Sequence, residues 1–210
     1  MTDDIVLAGF DMDGTLLEQD SSWVAIHKHF GTTKFGTESL DLYTKGKIDY
    51  EEFMRRDIKA WGKGADLATI DRVLSGYRLR PEARPVVVAL KQKGIESAII
   101  TSGIDILAEK VAKDLGIKTW VANGLRFDQS GKVLPDGNSR VDPTRKDIAY
   151  LKLLGRLGIP SSKTIAVGDT VYDLAFLRSA AKGFMLAHTT RVEDPRIIHI
   201  ESLTEILDEV

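Results

Sequence analysis

Apolar positions along this chain fall into two alternating kinds of segment. Short, nearly continuous apolar runs occur at Ile5–Phe10 (IVLAGF), Ile95–Thr101 (IESAIIT), Thr119–Ala122 (TWVA), Thr164–Gly168 (TIAVG) and Gly183–Ala187 (GFMLA). Runs of that length, rich in β-branched residues, are the pattern of strands covered on both faces. Amphipathic stretches of helical length separate them. Pro81 opens one that Gly94 closes, another covers Gly103 to Leu115 before Gly116, and Asp142-Pro143 starts one that reaches Leu157. The alternation predicts an α/β fold, a doubly wound parallel sheet with helices on both faces.

The interval between the first and second runs breaks this rhythm. Leu17 to Arg80 is far longer than the usual βα connection of about two to six residues. Its apolar residues recur at helical spacing: Trp23, Ile26, Phe30; Leu40, Tyr43; Tyr50, Phe53, Met54, Ile58, Trp61; and Leu67, Ile70, Val73, Leu74, Tyr77. Glycines separate these groups, and Asp49 with Glu52 marks a helix start. Four short helices are expected, forming a cap domain over residues 17–80 that interrupts a core made of residues 1–16 and 81–210. A β-hairpin is expected at Asn123–Val133, turning at Ser130-Gly131.

Composition narrows the functional classes. The 210 residues are 43% hydrophobic and 29% charged, which excludes disordered and fibrous classes. With 29 basic and 31 acidic residues the formal charge is −2, so nothing in the net charge points to nucleic acid. Absence of cysteine removes disulfides, thiolate metal sites and a thiol nucleophile. The acidic start Met1-Thr2-Asp3-Asp4 and the lack of an apolar run of about 18 residues predict a soluble, cytoplasmic protein with no membrane partner. Oligomeric state is left open. His27, His29, His188 and His199 lack metal-ligand spacing, and Trp23, Trp61 and Trp120 fall at apolar positions, so core or surface roles suffice for them.

Chemistry concentrates where the apolar runs end. The first run leads into Asp11-Met12-Asp13-Gly14-Thr15, two carboxylates on one side of an extended chain. The C-terminal edge of an open α/β sheet is where ligands bind, and close carboxylates there need a cation or a shared proton. Alone, a D-x-D is as often a polar turn. Thr101-Ser102-Gly103 offers hydroxyls and N–H groups, as an anion cradle or as a helix cap. The fourth run leads into Asp169-Thr170-Val171-Tyr172-Asp173, with Asp169 matching Asp11 on its own strand; these acids are either hard ligands for Mg²⁺ or caps. Lys146, in the first turn after Asp142-Pro143, either needs an anion or is a solvated lysine.

Taken in order, D-x-D-G-T, a strand ending T-S-G, a later lysine and G-D-x-x-x-D resemble the haloacid dehalogenase (HAD) superfamily of aspartate-nucleophile phosphatases. The helical insert resembles the cap of its phosphoserine-phosphatase branch. This resemblance implies that Asp11 is the nucleophile that forms an aspartyl-phosphate and that Asp13 is the acid and then the base. It implies Mg²⁺ held by Asp11, the Asp13 carbonyl and Asp169, with Asp173 fixing the metal's water shell. Thr101, Ser102, Gly103 and Lys146 would bind the phosphate oxygens. The expected reaction is hydrolysis of a small phosphorylated metabolite.

Departures from that branch bear on which metabolite. Gly14 stands where the branch usually has Ser, and Tyr172 where it has Asn. Asp20, with Glu18 nearby, takes the place of a glutamate that holds the substrate's amino group. Asp57 takes the place of the carboxylate-binding cap arginine, with Arg55 and Arg56 just before it. Glu18, Asp20, Arg55 and Arg56 are therefore the candidate selectivity residues. Phosphoserine is the first candidate substrate, another small acid or sugar phosphate the second. An inactive phosphate-binding relative is the alternative from a different class, and the presence of Asp11, Asp13, Lys146 and Asp169 argues against it.

Overall fold

Strand β1 (Leu7–Phe10) lies between β2 (Glu96–Ile104) and β4 (Thr164–Gly168). The sheet continues through β3 (Thr119–Asn123) on one side, and through β5 (Lys182–Leu186) to β6 (Ile197–Ile200) on the other. This computed structural model describes residues 4–18, 21–186 and 192–210. Every pairing in the sheet is parallel. All residues of β1 and β4 are buried, which is why their runs show no polar alternation.

Helices cover both faces, as the alternation of runs predicts. Phe10, Ile99, Val167 and Phe184 pack with α5 (Ala83–Gln92) and α6 (Asp105–Leu115) on one face. Leu7, Ala98, Ile100 and Ala166 pack with α7 (Lys146–Leu157) and α8 (Leu174–Arg178) on the other, where Tyr150 and Phe176 meet edge to face at 4.9 Å. The strand order β3-β2-β1-β4-β5-β6 reverses its direction of growth between β1 and β4, so a crevice opens beyond the ends of those two strands.

Three expectations are corrected. Strand β6 escapes the sequence pattern because it is four residues long at the sheet edge, with only Ile197 and Ile200 buried. The second strand continues through Gly103 to Ile104 and α6 begins at Asp105, so Thr101-Ser102-Gly103 lies in extended chain and not at a helix start. The segment after β3 turns back at Ser130-Gly131 as expected, with Phe127 bridging Val133 and the Asp128 and Leu134 amides donating to Lys132 O and Arg126 O, but its pairing is limited to single bridges, with Gly124 to Asn138 beyond the expected span. A further bridge joins Lys132 to Asp66, so this segment clasps the helical insert.

The insert holds the four expected helices, α1 (Ser22–Phe30), α2 (Thr33–Thr44), α3 (Tyr50–Trp61) and α4 (Leu67–Leu74). Ser21, Asp49 and Asp66 cap α1, α3 and α4 by accepting from the amides of Val24, Glu52 and Thr69. Trp23, Ile26, Phe53, Ile58, Trp61 and Ile70 form an apolar core continuous with the α5–α6 face of the sheet. Among the described residues no helix is long and apolar enough to cross a membrane.

One buried side chain ties the insert, the sheet and the segment leading to α7 together. Asn123, fully buried at the end of β3, donates through Nδ2 to Tyr50 Oη of α3, Ser102 O of β2 and Val141 O, each at 2.9 Å. Its Oδ1 accepts from the amides of Arg140 at 2.7 Å and Val141 at 2.9 Å. Removing it strands several buried polar groups, each costing about 1–3 kcal/mol. Asn123→Ala is therefore expected to lower unfolding free energy by about 3 kcal/mol in urea titration; an unchanged midpoint would show that these bonds do not support the fold.

Candidate active site

The β1–β4 pairing delivers the first two carboxylates. The Asp11 amide donates to Val167 O at 2.8 Å, continuing the ladder one residue past β1. Because Phe10 is level with Val167, Asp11 lies opposite Gly168 and Asp169 comes one step later, not at the matching position that the sequence suggests. A turn compensates for the offset. Beyond Gly168 the chain enters a short 3-10 helix, Val171–Asp173, whose start is closed by a reciprocal cap between Thr170 and Asp173. Asp173 Oδ2 accepts from the amides of Asp169 (3.2 Å) and Thr170 (3.0 Å) and from Thr170 Oγ1 (3.1 Å). This turn brings carboxylate oxygens of Asp11, Asp169 and Asp173 within 4.8 Å of one another.

Lys146, the first residue of α7, enters the same cluster from the opposite side. Its Nζ donates to Asp11 Oδ1 at 2.5 Å and to Asp173 Oδ1 at 2.6 Å, and all three side chains are buried. Burial alone would lower the lysine pKa, but the two carboxylates raise it, so it stays charged. Burial pushes Asp11 well above the ordinary carboxylate range; Lys146 opposes the rise, while Asp173 and Asp169 add to it. Asp169 is raised to about 6, first by burial and then by Asp173.

That electrostatic balance tests whether the site suits a metal. Three acids share one lysine, and the lysine occupies Oδ1 of both Asp11 and Asp173. Asp169 Oδ1 accepts from Thr15 Oγ1 at 2.9 Å. Among the described residues no hydrogen bond reaches Oδ2 of Asp11 or Oδ2 of Asp169, so each keeps a hard anionic oxygen within a cluster whose ligand atoms lie inside 4.8 Å. The donor set fits Mg²⁺.

Two contributors were not legible in the sequence. Thr15 orients Asp169 across the strand gap, and Arg80 donates to Gly14 O through Nε (3.3 Å) and Nη2 (2.8 Å), holding the turn after Asp13. No local signal announces either, because both depend on chain brought from far along the sequence. Gly14 has φ +82°, and a Cβ there would lie 2.2 Å from Asp169 Oδ2. Its lack of a side chain lets the β1 turn close on Asp169.

Asp13 and the β2 end face the insert. Asp13 Oδ2 accepts from the Ser22 amide (3.1 Å) and Ser22 Oγ (2.9 Å), so the first residue of α1 positions this carboxylate. The paired serines Ser21-Ser22 ahead of an apolar helix were the available signal. Thr101 Oγ1 accepts from the Gly103 amide at 2.9 Å, and a Cβ on Gly103 would lie 2.7 Å from Asp13 Oδ2. Ser102 O accepts from Trp23 Nε1, Tyr50 Oη and Asn123 Nδ2.

A cavity of about 290 Å³ lies between this cluster and the insert. Asp11, Asp13, Thr101, Ser102, Gly103 and Lys146 line its sheet end; Trp23, His27, Tyr43, Tyr50, Phe53 and Asp57 line the insert side. Three of the four expected selectivity residues lie away from it. Arg55 is half-buried and pairs with Glu52 and Asp136, Arg56 reaches Ser39 Oγ at 3.4 Å, and Glu18 is exposed; none of the three lines the cavity. A helical face presents only every third or fourth residue to one side, and on α3 that side carries Tyr50, Phe53 and Asp57. Asp20 lies outside the described residues. Trp23 and His27, for which core or surface roles sufficed, both line the cavity.

Comparison with known proteins agrees with this geometry. A family model described as haloacid dehalogenase-like hydrolase matches residues 8–178. A probable phosphoserine phosphatase of Schizosaccharomyces pombe is 28% identical over 194 residues, covering 89% of this chain and 63% of the relative. A phosphoserine phosphatase of Streptomyces coelicolor is 27% identical over 177 residues, covering 84% of this chain and 43% of the relative. The chain thus spans under two thirds of the length of these relatives. A solved structure described as a phospho-aspartyl intermediate analogue of phosphoserine phosphatase shares the fold, with TM-score 0.80 at 23% identity and 99% of both chains covered.

The raised Asp169 sets a pH dependence. With a folded pKa of about 6 against 3.8 for the ordinary group, the native state holds the proton longer than the unfolded chain. Without metal, stability therefore falls as pH rises from about 4 through about 6, and Asp169→Asn should gain on the unsubstituted protein across that window. Mg²⁺ should raise the melting temperature more at pH 7.5 than at pH 5; equal shifts would contradict a site made of ionised carboxylates. Gly14→Ala should lower the melting temperature and at least halve the Mg²⁺-induced rise, read by scanning calorimetry.

Proposed function

Because this chain belongs to the haloacid dehalogenase-like hydrolases, we propose that it is a Mg²⁺-dependent phosphatase that hydrolyses a small phosphomonoester through covalent capture of the phosphoryl group on Asp11. The observation that carries this reading is the convergence of Asp11, Asp169, Asp173 and Lys146 at the strand-order reversal, beside a cavity that Asp11 and Lys146 line. Residues 17–80 act in this reading as the cap, and residues 1–16 with 81–210 as the core.

The chain's own groups supply the steps. An Asp11 carboxylate oxygen attacks phosphorus, the bond to the ester oxygen breaks, and Asp13 gives its proton to the departing alcohol. Asp13 then takes a proton from water, which attacks the aspartyl-phosphate and releases inorganic phosphate with Asp11 restored. Ser22 keeps Asp13 directed at the cavity throughout. Thr101, the Ser102 amide and Lys146 hold the non-bridging oxygens, where charge accumulates in a loose transition state, and the Gly103 amide joins them by exchanging its bond to Thr101 Oγ1 for one to the phosphate. A Mg²⁺ ion held by Asp11, the Asp13 carbonyl and Asp169, with Asp173 ordering its surroundings, would supply positive charge that keeps Asp11 ionised beside an anionic ester. The cap excludes water and admits only small esters.

Phosphoserine, the substrate in the names of the relatives, is the first metabolite to assay. Phosphate release from p-nitrophenyl phosphate should require Mg²⁺. It should fall by about a thousand-fold or more in Asp11→Asn, and by about a hundred-fold or more in Asp13→Asn. A folded, Mg²⁺-loaded protein that releases no phosphate from any small ester would overturn the reading in favour of a binding role.

A further inference from the structure

The insert end of the cavity holds a buried carboxylate that the reaction chemistry does not use. Asp57, on α3, is 1% exposed and lines the cavity. Its Oδ2 lies 3.1 Å from Nε2 of His27, itself 3% exposed, though off line for a good hydrogen bond. Its Oδ1 accepts no hydrogen bond; the Ser39 hydroxyl is near enough to favour the charged form without satisfying that oxygen. His27 is held in place by Thr32 Oγ1, 2.7 Å from Nδ1, and by Gly36, where a Cβ would lie 2.8 Å from the ring. A buried, half-satisfied carboxylate costs stability unless a donor reaches it.

The surrounding walls select the chemistry of that donor. Trp23 and Tyr50 both direct their polar tips to Ser102 O, leaving ring surface for the cavity. Phe53 stacks on Tyr50 at 5.5 Å and meets Tyr43 at 5.7 Å, completing an aromatic wall of the kind that attracts cations. Among the described lining residues the basic side chains are Lys146 and His27, and each already faces a carboxylate. A second anionic group on the substrate therefore finds no counter-charge here, whereas an ammonium finds aromatic faces and, at the cavity wall, the Asp57 carboxylate.

We propose that Asp57 is a specificity-determining residue that receives the protonated amino group of the substrate's alcohol, so that this chain prefers phosphate esters of small amino alcohols and does not require a substrate carboxylate. The inference rests on the phosphatase reading and deepens it by naming the substrate class. Phosphoserine carries the amino group, and the proposal separates that group's contribution from its carboxylate's.

The test compares phosphate release by the Mg²⁺-loaded protein from O-phosphoethanolamine, phosphoserine, propyl phosphate and phosphoglycolate. Expected kcat/KM for O-phosphoethanolamine exceeds those for propyl phosphate and phosphoglycolate by about ten-fold or more, and phosphoserine does not exceed O-phosphoethanolamine by that factor. Asp57→Asn should collapse the ratio of O-phosphoethanolamine to propyl phosphate through KM, and Asp57→Glu should restore part of it. Propyl phosphate used equally well, a ten-fold advantage for phosphoserine, or an unchanged ratio in Asp57→Asn would each overturn the proposal. If Asp57→Asn does not fold, the ratios of the unsubstituted protein decide. Turnover of p-nitrophenyl phosphate without amine preference refutes this inference while the phosphatase reading stands. If no ester is turned over, calorimetric binding of O-phosphoethanolamine against propyl phosphate to Asp11→Asn decides the recognition by itself.

Discussion

Mutual repulsion among three buried carboxylates is the constraint around which this molecule is arranged. Asp11, Asp169 and Asp173 would not stay together at the end of a parallel sheet without positive charge, and Lys146 supplies the part that the chain itself can provide. Its two short contacts account for one oxygen each of Asp11 and Asp173, while Asp173 spends the other on the turn that aims Asp169. What remains is negative charge on Asp11 and Asp169, and burial first, then the neighbouring carboxylates, push both pKa values up. Such a cluster is poised for a hard divalent cation, and the same imbalance that favours the ion makes the ion-free state less stable as pH rises.

Holding the cluster requires support from distant parts of the chain. Thr15 and Asp169 meet across 154 residues, and Arg80, arriving from the far side of the insert, fastens the Gly14 carbonyl. The insert is joined to the same region through a few polar atoms. Ser102 O collects donors from Trp23, Tyr50 and Asn123, and Ser22 holds Asp13 while accepting from the Ile104 amide. The helices that wall the cavity are thereby coupled to the β2 end and to Asp13.

The two ends of the cavity differ in character. At the sheet end charged and hydroxyl groups suit a phosphoryl group; at the insert end aromatic faces surround Asp57 and His27. In the proposed reading, strand ends set the reaction class and one face of α1 and α3 sets the substrate preference, so catalytic motifs of this kind coexist with Asp57 at the position corresponding to a cap arginine.

Much of this was legible along the chain. Continuous apolar runs identified five of the six strands, since a strand covered on both faces cannot alternate, and capping residues with helical spacing outlined the four insert helices. The D-x-D and G-D-x-x-x-D ends were visible because strand ends carry functional residues in this architecture. Side-chain direction on α3 was not legible. Arg55 and Arg56 carry the charge that a sequence reading favours, yet the helix turns Arg55 to Glu52 and Asp136 and Asp57 to the cavity. The one-residue offset between Asp11 and Asp169, the continuation of β2 through Gly103 and the partners of Thr15 and Arg80 were equally hidden, and Ser22 was signalled only by the paired serines at the start of α1. Local sequence determines which segments become strand or helix, because those preferences act over a few residues; which polar atoms finally meet depends on register and on contacts between distant segments, and only the folded chain decides that.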